Sequence, residues 1–199
     1  MTRFATIAGV GSALPPRLVP NSWFETIVAT NDEWIRDRTG IEGTVLGADG
    51  TAAEILWMPA GGTRAPASRD TVEARDHFVK MPNGREVFKR AVTEMAAACR
   101  ALLEKSGHSI DDVDVLIPHQ ANARIMQAVV DRLGIDPAQA LVDVAEVGNP
   151  SAASIPIALD RAWRAGRIRQ GDLVLFASFG AGLTWGATLV RWTMPEPTS

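Results

Sequence analysis

Alternation between apolar runs and amphipathic segments closed by glycine dominates the chain from Val87 onward and limits the folds open to it. Long segments with helical periodicity, separated by short apolar runs, are typical of an α/β sheet with helices packed on it. The pattern predicts, in order, a helix at Val87–Lys105, a strand at Val113–Ile117, a helix at Asn122–Leu133, a strand at Leu141–Val147, a helix at Ser151–Ala165, and strands at Leu173–Ser178 and Thr184–Trp192.

The part of the chain before this pattern is less regular. A buried strand is expected at Thr2–Val10, ended by the Gly/Pro cluster at Gly11–Pro16, and Asn21 is a candidate cap for a helix through Ala29. The stretch Pro59–Ser68 is rich in glycine, proline and alanine, which indicates a loop or linker.

Composition indicates the number of domains, the kind of partner and the cellular location to be expected. The chain has 199 residues, 46% of them hydrophobic, and a formal net charge of −3, which fits one domain without general affinity for nucleic acid. Cys99 is the one cysteine, so an intrachain disulfide is impossible and a reducing cytoplasm is the expected location. No run approaches the length of a membrane span, and Phe4–Val10 is broken early by glycine and proline, which favours a strand and turn over a signal peptide.

Two polar residues follow predicted strands. His119 comes after Val113–Ile117, and Asn149 comes after Leu141–Val147. Because strand ends of a parallel sheet converge on one crevice, we expect the two side chains to meet there. A neutral imidazole and a side-chain amide aimed at one point suit the stabilisation of an enolate or thioester oxygen. The alternatives are a structural histidine and a turn asparagine, and for Asn149 the two roles are compatible.

Cys99 does not fit the pattern of a nucleophile. It lies in the middle of a predicted helix, on the same apolar face as Val92, Met95 and Leu102. A reactive thiolate needs a helix N-terminus or a cationic neighbour in an accessible place. We therefore expect Cys99 to be a core residue, and we expect no metal site in the chain.

Several stretches resemble β-ketoacyl-acyl-carrier-protein synthase III, a family of thiolase-fold condensing enzymes. Together, and in family order, they cover about residues 1–41 and 43–192. The resembling stretches are Gly9–Pro15, Asp32–Ile35, Arg38–Ile41, Asn83–Lys89, Pro118–Asn122, Gly148–Ser154 and Ser178–Gly186. The resemblance implies an α/β fold, namely the C-terminal half of a thiolase-like αβαβα sandwich plus the first strand and helix of the N-terminal half.

The resemblance also implies three catalytic residues, of which this chain matches two. The family uses a cysteine that takes the acyl starter from coenzyme A, and a histidine and an asparagine that assist decarboxylation of malonyl-carrier protein. His119 and Asn149 match the last two, and no residue matches the cysteine. The jump from Arg38–Ile41 to Gly43–Gly50 indicates that a domain's worth of chain, on the order of 100 residues or more, is missing near Ile41. An internal deletion or a truncated gene model would explain it.

The same resemblance divides the chain into four parts and surrounds the catalytic pair with further residues. The parts are a remnant of the N-terminal half at 1–41, a junction with strand and loop at 42–86, the C-terminal condensing-enzyme half at 87–193 and a tail at 194–199.

Gly180, Ala181 and Gly182 would form a backbone N–H cradle for a thioester oxygen, with Phe179 in the pocket wall; simple turn glycines are the alternative. The residues implied in coenzyme A or carrier-protein binding are Trp34, which would stack on the adenine, and Arg85, Phe88, Lys89, Ala121, Asn122, Arg124 and Arg132. For the basic residues, a solvated helix face is the alternative.

The implied activity is that of an acyltransferase of fatty-acid chain initiation, which condenses acyl-CoA with malonyl-acyl-carrier protein by decarboxylation. Because no nucleophile is matched, we expect no full condensation by this chain. The alternatives are an internally deleted, non-catalytic fragment or carrier-protein or coenzyme A binding remnant, and a related polyketide starter synthase. Acyl-CoA is expected as a substrate and no cofactor as tightly bound, and the family's homodimer is not carried over to this chain.

Overall fold

A single mixed sheet organises the part of the chain that the structure, a computed structural model, describes, which is residues 40–196. The helices and strands of this part are β1 Ile41–Ala48, α1 Arg69–Glu73, α2 Gly84–Ser106, β2 Val115–Pro118, α3 Ala123–Leu133, α4 Val144–Val147, α5 Ser154–Arg164, β3 Leu173–Gly180 and β4 Thr184–Arg191. Short 3-10 turns are found at Gly50–Ile55, Ile110–Asp112, Pro137–Gln139 and Ser151–Ala153.

The strand order of the sheet is β1-β4-β3-β2. β2 and β3 run parallel, with Pro118 opposite Ala177, whereas β3 and β1 are both antiparallel to β4. Thr184, the first residue of β4, lies opposite both Gly180 and Ala48. The ends of β1, β2 and β3 therefore meet at one side of the sheet, which we call the carboxyl edge.

Helices cover both faces of this sheet. On one face, α2 and α3 bury a cluster that includes Met95, Leu102 and Val129 against the β3 residue Leu175. On the other face, α5 packs its small residues, such as Ala158, into a second apolar cluster. β2 is buried along its whole length, as expected for a strand with both faces covered. The arrangement confirms the predicted α/β class, a sheet with helices packed on it.

Local sequence signals account for the two long helices. Asn83 caps α2, because its side-chain oxygen accepts a hydrogen bond from the backbone N–H of Glu86 at 3.1 Å. Gly107 ends the helix with a φ of 73°, a left-handed conformation that glycine adopts without steric cost. Asn122 caps α3 in the same way as Asn83 caps α2, and Gly134 ends it. Both helices agree with their predicted ranges to within three residues at each end.

The predicted strand at Leu141–Val147 is wrong. Its first backbone N–H, that of Leu141, does donate to Leu116 O of β2 at 2.9 Å. The ladder then stops, because the buried Gln120 side chain takes the next backbone groups: Nε2 donates to Leu141 O at 3.1 Å and Oε1 accepts from Asp143 N at 2.7 Å. The chain turns away and residues 144–147 form α4. One buried carboxamide thus engages the backbone groups that a continuing strand would use.

Other differences are smaller. The predicted helix at Ser151–Ala165 begins with a 3-10 turn, and α5 proper starts at Ser154. Pro59–Ser68 contains neither helix nor strand, as predicted, but it is followed by α1, which the sequence did not indicate and which Ser68 caps. The final two strands differ from the predicted bounds by at most two residues. No helix in residues 40–196 combines the length and apolarity needed to cross a bilayer.

The predicted N-terminal strand at Thr2–Val10 and the helix capped by Asn21 lie outside the described residues. The division of the chain into four parts therefore stays a prediction. β1 begins at Ile41, one residue before the predicted second part.

Candidate functional site

His119 lies directly after β2, at the carboxyl edge. Its backbone N–H donates to Ala177 O of β3 at 2.7 Å, which extends the parallel ladder by one residue and fixes the main chain. Its ring Nδ1 is 2.6 Å from the hydroxyl Oγ of Ser154, at the start of α5. Among residues 40–196, the ring Nε2 has no hydrogen-bond partner. One side of the imidazole is therefore anchored, and the other makes no hydrogen bond with the described residues.

Burial lowers the pKa of His119 below its ordinary value of 6.5. No carboxylate among the described residues pairs with the ring to offset this desolvation. The imidazole is therefore neutral at pH 7, which is the state expected from the sequence for a residue that stabilises an oxyanion.

This lowered pKa makes folding stability depend on pH. In the window between the folded pKa and 6.5 the unfolded chain binds more protons at His119 than the folded chain does. Stability contributed by the neutral ring is therefore complete above 6.5 and decreases as the pH drops toward the folded pKa. We expect the Tm to decrease between pH 8 and 5.5, and to decrease less in His119→Gln. The exposed His77→Gln serves as the control and should behave like wild type in the same melting series.

Asn149 lies in the turn between α4 and the 3-10 segment, and not at the end of a strand as the sequence predicted. Its side-chain Oδ1 accepts from the backbone N–H of Ser151 at 3.0 Å, so the turn role holds. That bond leaves the amide NH₂ as the donor end, and among the described residues it has no partner. Gly148, directly before it, has φ 66° and ψ −152°, a region that is essentially restricted to glycine.

Gly180, the last residue of β3, and the turn residues Ala181 and Gly182 lie at the carboxyl edge. The same strand pairs with the His119 backbone through Ala177. One part of the predicted cradle is corrected, because the Gly182 N–H donates to Leu56 O at 2.8 Å and is not free for a thioester oxygen. Ala181 has a negative φ, so an alanine at this position causes no backbone strain.

Phe179, proposed for the pocket wall, is 8% exposed and belongs to the apolar cluster under α2. It therefore faces the core layer between the sheet and α2. Whether part of its ring also borders a ligand pocket stays a prediction.

Several residues predicted to bind coenzyme A or a carrier protein are grouped at the first turns of α2 and α3. The Arg124 guanidinium lies 6.0 Å from the centre of the Phe88 ring, which links the two helices. Arg85 and Lys89 are exposed on the same first turns of α2. An ion pair at 2.9 Å between Arg90 and Asp49, just after β1, holds this end of α2 at the carboxyl edge.

The remaining predicted binding residues are placed differently. Arg132 is eight residues beyond Arg124 on α3, about 12 Å along the helix, so the structure does not bring it to the same end. Asn122 uses its side-chain oxygen as the α3 cap, accepting from Ile125 N at 2.9 Å. Ala121 is half-buried and packs on the core, and Trp34 lies outside the described residues.

Sequence reasoning missed two residues that build this site, Ser154 and Gln120. Both are fully buried polar residues, and they are linked, since the Gln120 backbone N–H donates to Ser154 Oγ at 3.3 Å. Their only sequence signal was their place inside the two stretches that contain His119 and Asn149.

Cys99 is a core residue, as the sequence predicted. It is fully buried on α2, and desolvation raises the pKa of its thiol to about 12. Within residues 40–196 no group of histidine, cysteine and carboxylate side chains is arranged to hold a metal ion.

Comparison with known proteins places these features in a family. Residues 103–192 match the model of the 3-oxoacyl-[acyl-carrier-protein] synthase III C-terminal domain. The β-ketoacyl-[acyl-carrier-protein] synthase III of Caldanaerobacter subterraneus is 49% identical over 154 residues, covering 77% of this chain and 46% of the relative. The chain thus spans about half the length of the curated relatives it matches.

Two solved structures show the same fold. The 3-oxoacyl-(acyl carrier protein) synthase III of Pseudomonas aeruginosa superposes with a TM-score of 0.71 at 37% identity, over 81% of this chain and 47% of that one. The priming β-ketosynthase from the R1128 polyketide biosynthetic pathway gives 0.68 at 35% identity, over 79% and 46%. Sequence and fold therefore show that this chain is similar to β-ketoacyl-acyl-carrier-protein synthase III over about half the length of those proteins.

Proposed function

We propose that this chain carries the decarboxylating part of an acyltransferase site of fatty-acid chain initiation, with malonyl-acyl-carrier protein as its substrate in the cytoplasm. The observation that carries the proposal is His119, a neutral imidazole anchored at the carboxyl edge with Nε2 unengaged by the described residues. Kinship with β-ketoacyl-acyl-carrier-protein synthases supports the same reading.

The reaction breaks the bond between the malonyl carboxylate and its neighbouring carbon. Carbon dioxide leaves, and the electron pair forms the enolate of an acetyl thioester, which then takes a proton from solvent. Nε2 of His119 and the amide NH₂ of Asn149 are the donors that would stabilise the enolate oxygen. No step requires a nucleophile, so this half of the chemistry is open to a chain whose single cysteine is buried.

Positive charge beside the carboxyl edge supports a substrate thioester that is carried by an acidic protein or by coenzyme A. Arg85, Lys89 and Arg124 place three cations at the first turns of α2 and α3, beside the carboxyl edge. These cations would attract the phosphates of a pantetheine arm or an acidic carrier protein and increase the rate at which either binds to this chain. Acyl-CoA is proposed as the second substrate of the complete reaction, with no tightly bound cofactor.

The test is release of carbon dioxide from malonyl-acyl-carrier protein by the purified chain. We expect slow decarboxylation, reduced on the order of 10²–10³-fold in His119→Ala and in Asn149→Ala, because each removes one donor to the enolate oxygen. His77→Ala, at an exposed position, should retain the wild-type rate. Activity that survives both substitutions, or a wild-type chain without activity, would contradict the proposal and favour a non-catalytic fragment or binding remnant.

Likeness to the R1128 priming β-ketosynthase makes a polyketide starter synthase the second candidate. Both candidates decarboxylate a malonyl thioester, so the assay above does not separate them. Comparing rates with malonyl groups on a fatty-acid and on a polyketide carrier protein does, since the preferred carrier should react faster.

A further inference from the structure

We propose that Ser154 is a positioning residue which sets the tautomer of His119 and joins it to the Asn149 turn. The Ser154 hydroxyl is fully buried and lies 2.6 Å from His119 Nδ1. Its catalytic consequence rests on the function proposed above, whereas its effect on the histidine ring does not.

The direction of the hydrogen bond follows from what else reaches the Ser154 oxygen. The backbone N–H of Gln120 donates to Oγ at 3.3 Å and occupies a lone pair. A hydroxyl has one proton to donate, and among the described residues His119 Nδ1 is the one acceptor within reach of it. A second donation to Oγ, from an Nδ1–H, would leave the proton of this buried hydroxyl without an acceptor, which costs free energy. We therefore infer that Ser154 donates to an unprotonated Nδ1 and that the proton of the neutral ring is on Nε2.

This assignment gives the histidine the correct polarity for an oxyanion. A ring with its proton on Nε2 presents a donor on the side that the described residues leave open. The opposite tautomer would present a lone pair and would repel an enolate oxygen. In many functional histidines a carboxylate or carbonyl fixes the tautomer by accepting a hydrogen bond from one ring nitrogen. The Ser154 hydroxyl fixes the tautomer of His119 by donating to a ring nitrogen instead.

Ser154 also connects the two candidate donors. It is the first residue of α5, three residues after Ser151, whose backbone N–H holds the Asn149 oxygen. Ser151 itself has a φ of 57°, a left-handed value that is uncommon for serine. The Asn149 side chain holds one end of this turn, and the Ser154 hydroxyl holds the other end against His119. The turn therefore links Asn149 to His119.

The experiment measures the His119 tautomer by ¹⁵N–¹H correlation in the full chain labelled at histidine, with His77→Gln and His108→Gln used for assignment. We expect wild type to carry the proton on Nε2. Ser154→Ala should lower the ratio of the Nε2–H to the Nδ1–H form by about three- to tenfold, since one buried hydrogen bond is lost. Ser154→Thr, which keeps the hydroxyl, should retain the wild-type form, as should the control Ser178→Ala on β3.

A wild-type ring with its proton on Nδ1 would overturn the inference without need of any variant. A tautomer ratio unchanged in Ser154→Ala would overturn it as well. Decarboxylation gives a separate readout: Ser154→Ala should lower kcat by a similar factor with little change in KM, because Ser154 does not touch the substrate. If wild type shows no decarboxylation but the tautomer shifts as stated, the proposed function fails and the role of Ser154 in orienting His119 stands.

Discussion

Alkylation of Cys99 at pH 8 is expected to be on the order of 10³ times slower in the folded chain than in the chain unfolded by guanidinium. Burial raises the pKa of its thiol from 9.0 to about 12, which reduces the thiolate fraction by this factor before steric protection is counted. The measurement is the rate of iodoacetamide incorporation, followed by mass spectrometry, with the unfolded chain as the reference.

A folded-state rate within tenfold of the unfolded rate would contradict the core position of Cys99. The same instrument can follow the chain during incubation with acyl-CoA. No acyl adduct on Cys99 is expected, because a thiol that stays protonated in the helix core cannot attack a thioester. An adduct that turns over to a β-ketoacyl product would show that the chain has a nucleophile after all.

Replacement of Gln120 by leucine is expected to lower the free energy of unfolding by about 3–5 kcal/mol, since each buried polar group left without a partner costs about 1–3 kcal/mol. The carboxamide donates to Pro118 O at 2.8 Å and to Leu141 O at 3.1 Å, and it accepts from Asp143 N at 2.7 Å. Leucine has a similar size and satisfies none of these groups.

Urea unfolding followed by circular dichroism measures the effect. Gln127→Leu is the matched control, because its amide makes one exposed hydrogen bond to Asp131 on the outer face of α3, and a change within about 0.5 kcal/mol is expected there. A loss below about 1 kcal/mol for Gln120→Leu would mean that solvent replaces the carboxamide and that the redirection of the chain has another cause.

Elements with local signals were predictable from the sequence. Gly107 ends α2 as predicted, and the apolar spacing identified Met95 and Cys99 as core residues, whereas the Asn83 cap before the predicted start was missed. The position of His119 after a strand was likewise readable, because the strand is short, apolar and followed by a helix cap.

What was missed depends on contacts between residues far apart in the chain. Leu141–Val147 has the composition of a strand, and only the Gln120 side chain, more than 20 residues away, ends its pairing. Ser154 is the first residue of α5, directly after the N-cap position Ala153, and its hydroxyl contacts His119, 35 residues away. Local periodicity contains no information about such pairs.

The pairing of β1 with β4 has a consequence for how the chain folds during synthesis. Thr44 of β1 lies beside Thr188 of β4, 144 positions later, with their hydroxyl oxygens 3.2 Å apart. β1 is made before β4 and has its partner strand only once the chain between the two strands has been made. Until then its backbone groups are unpaired, and closing so long a loop is slow. A nascent chain stopped before Thr184 would therefore expose both β1 and one side of β3 as unpaired strand edges, which favour association with other chains.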